Sequence, residues 1–141
     1  KGQAADALAI SGVASFIGFV RDESQGKAVT AMTLEHYPGM TEKKLEEIEA
    51  EANRRWPLAG SLIVHRYGKL APGEAIVLVA TASAHRQAAF ESCQFLMDWL
   101  KTQAPFWKQE ETATGKRWVE ACDTDKAAAQ NWEKKDPESS S

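Results

Sequence analysis

The nine residues AIVLVATAS at 75–83 constrain the fold more than any other part of the sequence. The run is far shorter than the roughly 20 apolar residues of a membrane helix, yet it is too apolar for a strand with one face in water. It therefore predicts a central strand buried on both faces. From about Ala84 to Thr102 the spacing of apolar residues becomes that of an amphipathic helix, which Pro105 limits.

The rest of the pattern gives the order β-β-α-β-β-α-β-β-α, which is an α+β fold. The predicted strands cover residues 12–20, 29–37, 61–70, 75–83, 106–112 and 116–122, and the predicted helices cover 41–56, 84–102 and 125–135. The first two strands are expected to form a hairpin around a polar loop at 21–28, and Thr41 and Ser83 are the expected N-caps. We expect one domain, residues 1–134, followed by a disordered tail at 135–141.

Charge and cysteine content exclude several functional classes. The 17 Lys and Arg residues against 20 Asp and Glu residues give a net charge of −3, unlike the basic excess of a nucleic-acid-binding protein. No membrane span or signal-peptide pattern is visible, and Cys93 and Cys122 form no CxxC motif, so we expect a cytoplasmic protein without membrane contact. His36, His65 and His85 lack the spacing of zinc ligands.

His85 and Arg86 fall in the first turn of the predicted long helix, where the helix dipole disfavours a cation by about 0.3–1 kcal/mol. Together with the unpaired backbone N–H groups at that end, the two side chains can form an anion site. Alternatively, Arg86 bends away and pairs with a surface carboxylate. The sequence alone leaves both interpretations open.

The stretch LKTQAPFWK at 100–108 places two lysines around an apolar kink. Lys101 lies in the last turn of the long helix, where the dipole alone is a sufficient reason for a cation. Lys108 follows in a strand, and a lysine beside aromatic residues and other cations can act as a base, as a nucleophile or as a point charge for phosphate. Arg117 lies on an apolar strand face, where the ordinary account is that its stem covers apolar surface, and Arg21, at the exit of the first strand, is ordinarily a loop charge.

Four segments carry a resemblance to a known family: TLEHYPGMTEK at 33–43, ASAHR at 82–86, FLMDWLKTQAPFWK at 95–108 and RWVEA at 117–121. They resemble the large, catalytic subunit of molybdopterin synthase, over a region from about Val13 to Trp132. The resemblance implies an α/β hammerhead fold with an additional small antiparallel β subdomain. It also implies a homodimer in which each protomer binds a small ubiquitin-like sulfur-carrier subunit, giving a heterotetramer.

The activity that this resemblance implies is sulfur transfer in molybdenum cofactor biosynthesis. The carrier subunit would insert a C-terminal tail that ends in a thiocarboxylate, and two sulfurs would pass to cyclic pyranopterin monophosphate to form the dithiolene of molybdopterin. No metal or other cofactor is implied. Both reactants are anions, so the resemblance agrees with the positive charges found above.

The family's functional positions transfer residue by residue. The catalytic lysines match Lys101 and Lys108, and Arg117 matches an arginine that reaches the pocket of the other protomer. The positions implied to bind substrate are Phe19, Val20, Arg21, His85, Arg86, Lys101, Lys108, Gln109, Glu110 and Arg117. Phe19 and Gln109 depart from the family pattern, since a polar or basic residue is expected at Phe19 and a basic one is common at Gln109.

A second functional class stays open at this point. A non-catalytic dimeric module could use Lys101 and Lys108 only to anchor the acidic C-terminal tail of a small partner protein. Binding of the phosphorylated pterin would separate an enzyme from such a module. A phosphate-ester hydrolase is the weakest interpretation, because the sequence shows no metal cluster and no nucleophile–base pair.

Overall fold

The computed structural model describes residues 10–24, 26–36, 39–103, 106–113, 115–119, 128 and 130–133. Its elements are, in chain order, β1 (Gly12–Phe19), β2 (Glu23–Ser24), β3 (Lys27–His36), α1 (Met40–Arg55), β4 (Leu58–His65), β5 (Gly68–Leu70), β6 (Ala75–Ser83), α2 (Arg86–Thr102), β7 (Phe106–Thr112) and β8 (Gly115–Val119). This mixture confirms the α+β class. No helix in these ranges is both long and apolar enough to cross a membrane.

Two predictions concern the end of the chain. Residues 130–133 are helical, within the helix predicted at 125–135. The predicted disordered tail at 135–141 lies outside the described residues. The extent of the single domain, residues 1–134, stays a prediction.

β6 is the middle strand of a three-stranded antiparallel sheet in the order β1-β6-β4. Its bounds are those that the apolar run predicts. Both helices pack on one face of this sheet, α2 against β6 and β1 and α1 against β4. The larger core cluster lies between this sheet and the two helices. It includes Val79 of β6 and Leu96 of α2, each with 0% of its surface exposed.

The opposite face of the same sheet is apolar and exposed in the described part of the single chain. Val13 and Ile17 of β1 are 66% and 48% exposed, and Leu62 and Val64 of β4 are 49% and 47% exposed. We call these four residues the outer apolar face. The expectation of a strand buried on both sides is therefore wrong for the single chain, since only every second residue from Val79 to Ser83 is buried.

β3 is a central strand of the second sheet, in which the order is β2-β3-β7-β8 and β5 also pairs with β3. The predicted hairpin between residues 12–20 and 29–37 is wrong, because β1 pairs with β6 and β3 pairs with β7 and β5. The polar loop instead folds on itself, with Glu23 opposite Ala28 around Gly26, whose φ is 78°. The hairpin predicted near the C-terminus is confirmed as β7 and β8.

The segment predicted as one strand at 61–70 is divided between the two sheets. β4 ends in the first sheet and β5 begins in the second at Gly68, which has a φ of 88° that favours glycine. The connection between them carries Tyr67, whose ring stacks on that of His36 at the end of β3, with 3.6 Å between the ring centroids. The end of the first sheet is thereby joined to the second sheet.

Neither expected N-cap has that role. The N-cap of α1 is Gly39, with a φ of 83°, and its N–H donates to Oε1 of Glu42 at 3.1 Å. Thr41 lies inside the helix and is fully buried. The N-cap of α2 is His85, while Ser83 is still in β6 and its Oγ accepts a hydrogen bond from the His85 N–H at 3.1 Å.

Candidate active site

Lys101 lies in the last turn of α2 and borders a cavity between β1 and α2. The cavity has a volume of about 630 Å³ and lies between Val13–Phe16 of β1 and the Phe90, Cys93 and Met97 side of α2. Its walls are mostly apolar, and the charged groups among them are Asp98 and Lys101. The site therefore offers an ammonium group beside a space that favours an uncharged, slender ligand segment.

Cys93 in the wall of this cavity has no sign of a reactive thiol. The side chain is buried, and its Sγ lies 3.9 Å from the Val79 carbonyl oxygen. Burial raises the pKa of the thiol, so the protonated form is favoured. Cys93 is a packing residue, as its position in the helical pattern indicated.

Lys108, Gln109 and Glu110 are consecutive residues of β7 in the second sheet. Lys108 lies opposite the buried Leu34, and Glu110 lies opposite Arg117 of β8. Because side chains alternate along a strand, Lys108 and Glu110 share one face of the sheet and Gln109 lies on the other. The register therefore places two of the expected site residues, Lys108 and Glu110, on the same face, with Arg117 at the position opposite Glu110.

The three residues at the end of β1 differ in what they can offer a ligand. Phe19 is 57% exposed and Arg21 is also exposed. Val20 is 3% exposed, its N–H donates to the Glu74 carbonyl at 2.9 Å, and its own carbonyl accepts from the Gly73 N–H at 2.9 Å. Val20 is thus a packing residue that fixes the chain direction at Arg21.

His85 and Arg86 lie at the N-terminal end of α2, and both are exposed. Within the described part of the chain, Arg86 forms no ion pair, so the surface-pairing alternative finds no support there. Arg86 and Lys101 are both in α2, and the rise of an α-helix separates their backbones by about 22 Å. Two extended side chains do not close that distance, so one chain does not bring these two cations to one small anion.

Three stacked rings that the sequence did not predict lie where β3 and β4 end, and the charge of Lys108 acts on one of them. His36, Tyr67 and His65 are stacked, with 3.6 Å between the His36 and Tyr67 ring centroids and 5.5 Å between those of His65 and Tyr67. Burial lowers the pKa of His65, and the positive charges of Lys108 and His36 lower it further. The described residues contain no group of three or more His, Cys, Asp or Glu that could hold a metal ion, so His36 and His65 have no metal site there.

Comparison with known proteins gives a consistent result. The family model described as "MoaE protein" matches residues 3–103. The chain is 60% identical over 126 residues to the molybdopterin synthase catalytic subunit of Pseudomonas aeruginosa, a match that covers 89% of this chain and 84% of that relative.

Solved structures agree with this match. The molybdopterin biosynthesis MoaE protein from Burkholderia ambifaria superposes with a TM-score of 0.73 at 54% identity, covering 93% of this chain and 86% of that one. A complex of subunits 1 and 2 of molybdopterin-converting factor from Helicobacter pylori has a TM-score of 0.64 at 19% identity and covers 83% of this chain and 77% of that one, so it shows the fold alone.

Proposed function

The chain belongs to the MoaE protein family, which includes molybdopterin synthase catalytic subunits, and from this premise we propose how its residues perform the reaction. Its activity is sulfur transfer in molybdenum cofactor biosynthesis. The sulfur donor is the C-terminal thiocarboxylate of a small ubiquitin-like carrier subunit, and the acceptor is cyclic pyranopterin monophosphate. Two transfers form the dithiolene. The reaction takes place in the cytoplasm, in agreement with the low cysteine content.

Lys101 is the principal catalytic residue of this proposal. Attack of the sulfur on the pterin forms a C–S bond and breaks a C–O bond of the cyclic phosphate, so negative charge develops on the leaving oxygen. A preorganised ammonium group stabilises that charge and supplies or accepts the proton that each step requires. Lys101 is exposed at the border of an apolar cavity, so its ammonium group is available to a ligand that enters there, and this position supports the role.

The cavity beside Lys101 is the seat that we propose for the tail of the carrier subunit. A Gly-Gly tail has no side chains, so it fits the space between the strand and the helix. The apolar walls remove water from the thiocarboxylate, and Lys101 meets its negative charge.

The phosphate and the pterin are bound by Lys108, Arg21, His85, Arg86 and Arg117 in this proposal. Two copies of the chain are needed, because the separation of about 22 Å along α2 places Arg86 too far from Lys101 of the same chain. A symmetric dimer solves this problem when it brings Arg86 of one protomer to the Lys101 site of its partner. This helix length is the observation that carries the two-chain site.

Complementation between two inactive variants tests the two-chain site. Lys101→Ala and Arg86→Ala are each expected to abolish most sulfur transfer from a thiocarboxylated carrier to the pterin. After the two variants are mixed and allowed to exchange subunits, half of the dimers are mixed, and each mixed dimer has one intact site and one doubly altered site. Activity should then return to about a quarter of the wild-type value.

Two results would contradict the proposal. No recovery in exchanged mixtures would mean that Lys101 and Arg86 act within one chain or in different sites. Wild-type turnover by Lys101→Ala would remove that residue from catalysis. Saturable binding of the phosphorylated pterin to the wild-type chain is also required, because a module that only binds a protein tail would lack it.

A further inference from the structure

The stack of His65, Tyr67 and His36 joins the two sheets beside one of the proposed active-site lysines. His65 ends β4 in the first sheet, and His36 ends β3 in the second. The Tyr67 ring stacks with both of their rings, with interplanar angles of 20° to His36 and 22° to His65. Packing on Tyr67 therefore restricts the rotation of the His65 ring.

The backbone fixes which nitrogen of His65 carries the proton. Nδ1 of His65 lies 2.9 Å from the carbonyl oxygen of Arg66. A carbonyl oxygen only accepts hydrogen bonds, so Nδ1 is the donor and the neutral ring keeps a lone pair on Nε2. His65 is thus prepared to accept one further hydrogen bond or one proton.

The positive charge of Lys108, which lies in another strand, acts on this ring. Lys108 of β7 lies opposite Leu34 of β3. His36 is two residues after Leu34 in β3 and lies on the same face of the sheet, so Lys108 and His36 are diagonal neighbours. The groups that act on His65 are Lys108 from β7, His36 from β3 and the Arg66 carbonyl, while Glu42 from α1 acts on Tyr67. Both His36 and Lys108 disfavour a charged His65, and burial adds to this effect, so the imidazole stays neutral near pH 7.

We propose that His65 is a positioning residue for Lys108, whose ammonium group donates a hydrogen bond to Nε2 of the neutral imidazole and is thereby held at the substrate. This inference rests on the proposed role of Lys108 in binding the phosphorylated pterin. Protonation of Nε2 in acid replaces the acceptor by a second cation and releases Lys108. The activity of the enzyme should therefore have an acidic limb that belongs to His65.

Two substitutions separate this role from simple packing. His65→Phe keeps a ring on Tyr67 but has no acceptor, whereas His65→Gln places an amide oxygen near the position of Nε2. We expect His65→Phe to lose about tenfold or more in kcat/KM for the pterin, the loss typical of a hydrogen bond to a charged group, with a melting temperature close to that of the wild type. We expect His65→Gln to recover most of the activity and to lack the acidic limb of the pH profile.

An NMR titration of the histidine rings tests the contact without any enzyme assay. In Lys108→Met, loss of the neighbouring positive charge should raise the pKa of His65 above its wild-type value. An unchanged pKa of His65 in Lys108→Met overturns the pairing. Wild-type activity and an unchanged pH profile in His65→Phe overturn the positioning role.

The proposed function can fail separately from the pairing. If Lys108→Met transfers sulfur as fast as the wild type while the pKa of His65 does rise, the two residues are neighbours but Lys108 has no part in the reaction. That outcome overturns the role given to Lys108 and, with it, the role of His65. It leaves the assignment of Lys101 to be decided by its own variants.

Discussion

Glu110 of β7 lies directly opposite Arg117 of β8, and only 8% of its surface is exposed. A buried carboxylate is costly unless it is hydrogen-bonded, so we expect Glu110 to have a structural role in the sheet. The family resemblance assigns both residues to substrate binding. The register favours a different role for each residue: Glu110 orients the edge strand β8, and Arg117 in that strand binds the substrate.

Substitution of Glu110 decides between these two roles. We expect Glu110→Ala to lower the free energy of unfolding by about 1–3 kcal/mol, because the groups that bonded the carboxylate lose their partner. Glu110→Gln keeps part of the hydrogen bonding and should lose less. Urea denaturation measures both values. If Glu110→Ala is as stable as the wild type and only the KM for the pterin rises, Glu110 is a direct substrate ligand instead.

Replacement of Lys101 by arginine distinguishes charge from proton transfer. Lys101→Met should lower kcat by about 100-fold or more, because it removes both functions. Lys101→Arg keeps the positive charge, but a guanidinium group does not give up its proton in proteins. We expect Lys101→Arg to remain within about tenfold of Lys101→Met in single-turnover sulfur transfer.

Recovery of most of the wild-type rate in Lys101→Arg would show that charge alone is sufficient. A carrier-subunit binding assay serves as the control. Lys101→Arg keeps the charge that meets the thiocarboxylate and should bind the tail much as the wild type does, whereas Lys101→Met should bind it more weakly, so the single-turnover rates are compared at saturating carrier. Lys44, an exposed lysine of α1 that pairs with Glu47 at 3.5 Å, offers a matched substitution far from the cavity. Lys44→Met should leave kcat unchanged.

The sequence pattern predicts local elements well because periodicity and chain breakers are local signals. The bounds of β6 match the apolar run at 75–83, and α2 matches the amphipathic pattern that precedes Pro105. The pairing of strands is not a local property. β1 pairs with a strand some 60 residues later because only that strand presents a complementary apolar face above α2, and no nearest-neighbour pattern encodes that choice.

The candidate site shows the same limit. The resemblance supplies the lysines and arginines, but it does not show that Val20 is buried or that Arg86 and Lys101 lie at opposite ends of one helix. Both facts follow from tertiary packing and helix length. The role proposed for His65 depends on its contacts with Tyr67 and with the Arg66 carbonyl oxygen, which the spacing of residues in the sequence does not show.

The outer apolar face predicts an interface between copies of the chain. Isolated exposed apolar residues are common, but a contiguous apolar sheet face marks an interaction surface. We expect Leu62→Glu to shift the protein toward the monomer, measured by light scattering after gel filtration, because it buries a charge in the dimer. Met40, 50% exposed in the first turn of α1, is the matched control, and Met40→Glu should keep the wild-type mass. A dimeric Leu62→Glu together with a monomeric Met40→Glu would locate the interface elsewhere.

Thr41 provides a test of the packing around α1. Its side chain is fully buried, and Oγ1 has no hydrogen-bond partner among the described residues. Burial of an unsatisfied hydroxyl costs free energy, whereas a methyl group of similar size does not. We expect Thr41→Val to unfold at the same urea concentration as the wild type or at a higher one, by up to about 1 kcal/mol. A clear loss of stability would mean that Oγ1 has a partner in solution.

His65 also makes folding stability depend on pH in a defined direction. Its pKa is lowered in the folded protein from the ordinary value of 6.5, mainly by burial. Below pH 6.5 the unfolded chain therefore binds a proton that the folded chain does not, and the free energy of unfolding falls as the pH falls, until the pH passes the lowered pKa. In His65→Gln this decline should be absent.

Thermal melts between pH 7.5 and pH 4 measure this difference. The contribution of Glu51 to the pH dependence is distinguished from that of His65 because it lies at lower pH. The Arg54 side chain lowers the pKa of Glu51 from 4.5 by hydrogen bonding to the carboxylate, so the stabilisation from Glu51 is present above pH 4.5 and is lost only below it. Two declines are expected in the wild type, an upper one due to His65 and a lower one due to Glu51. Parallel melting curves for the wild type and His65→Gln above pH 5 would contradict the burial of a neutral imidazole at the junction of the two sheets.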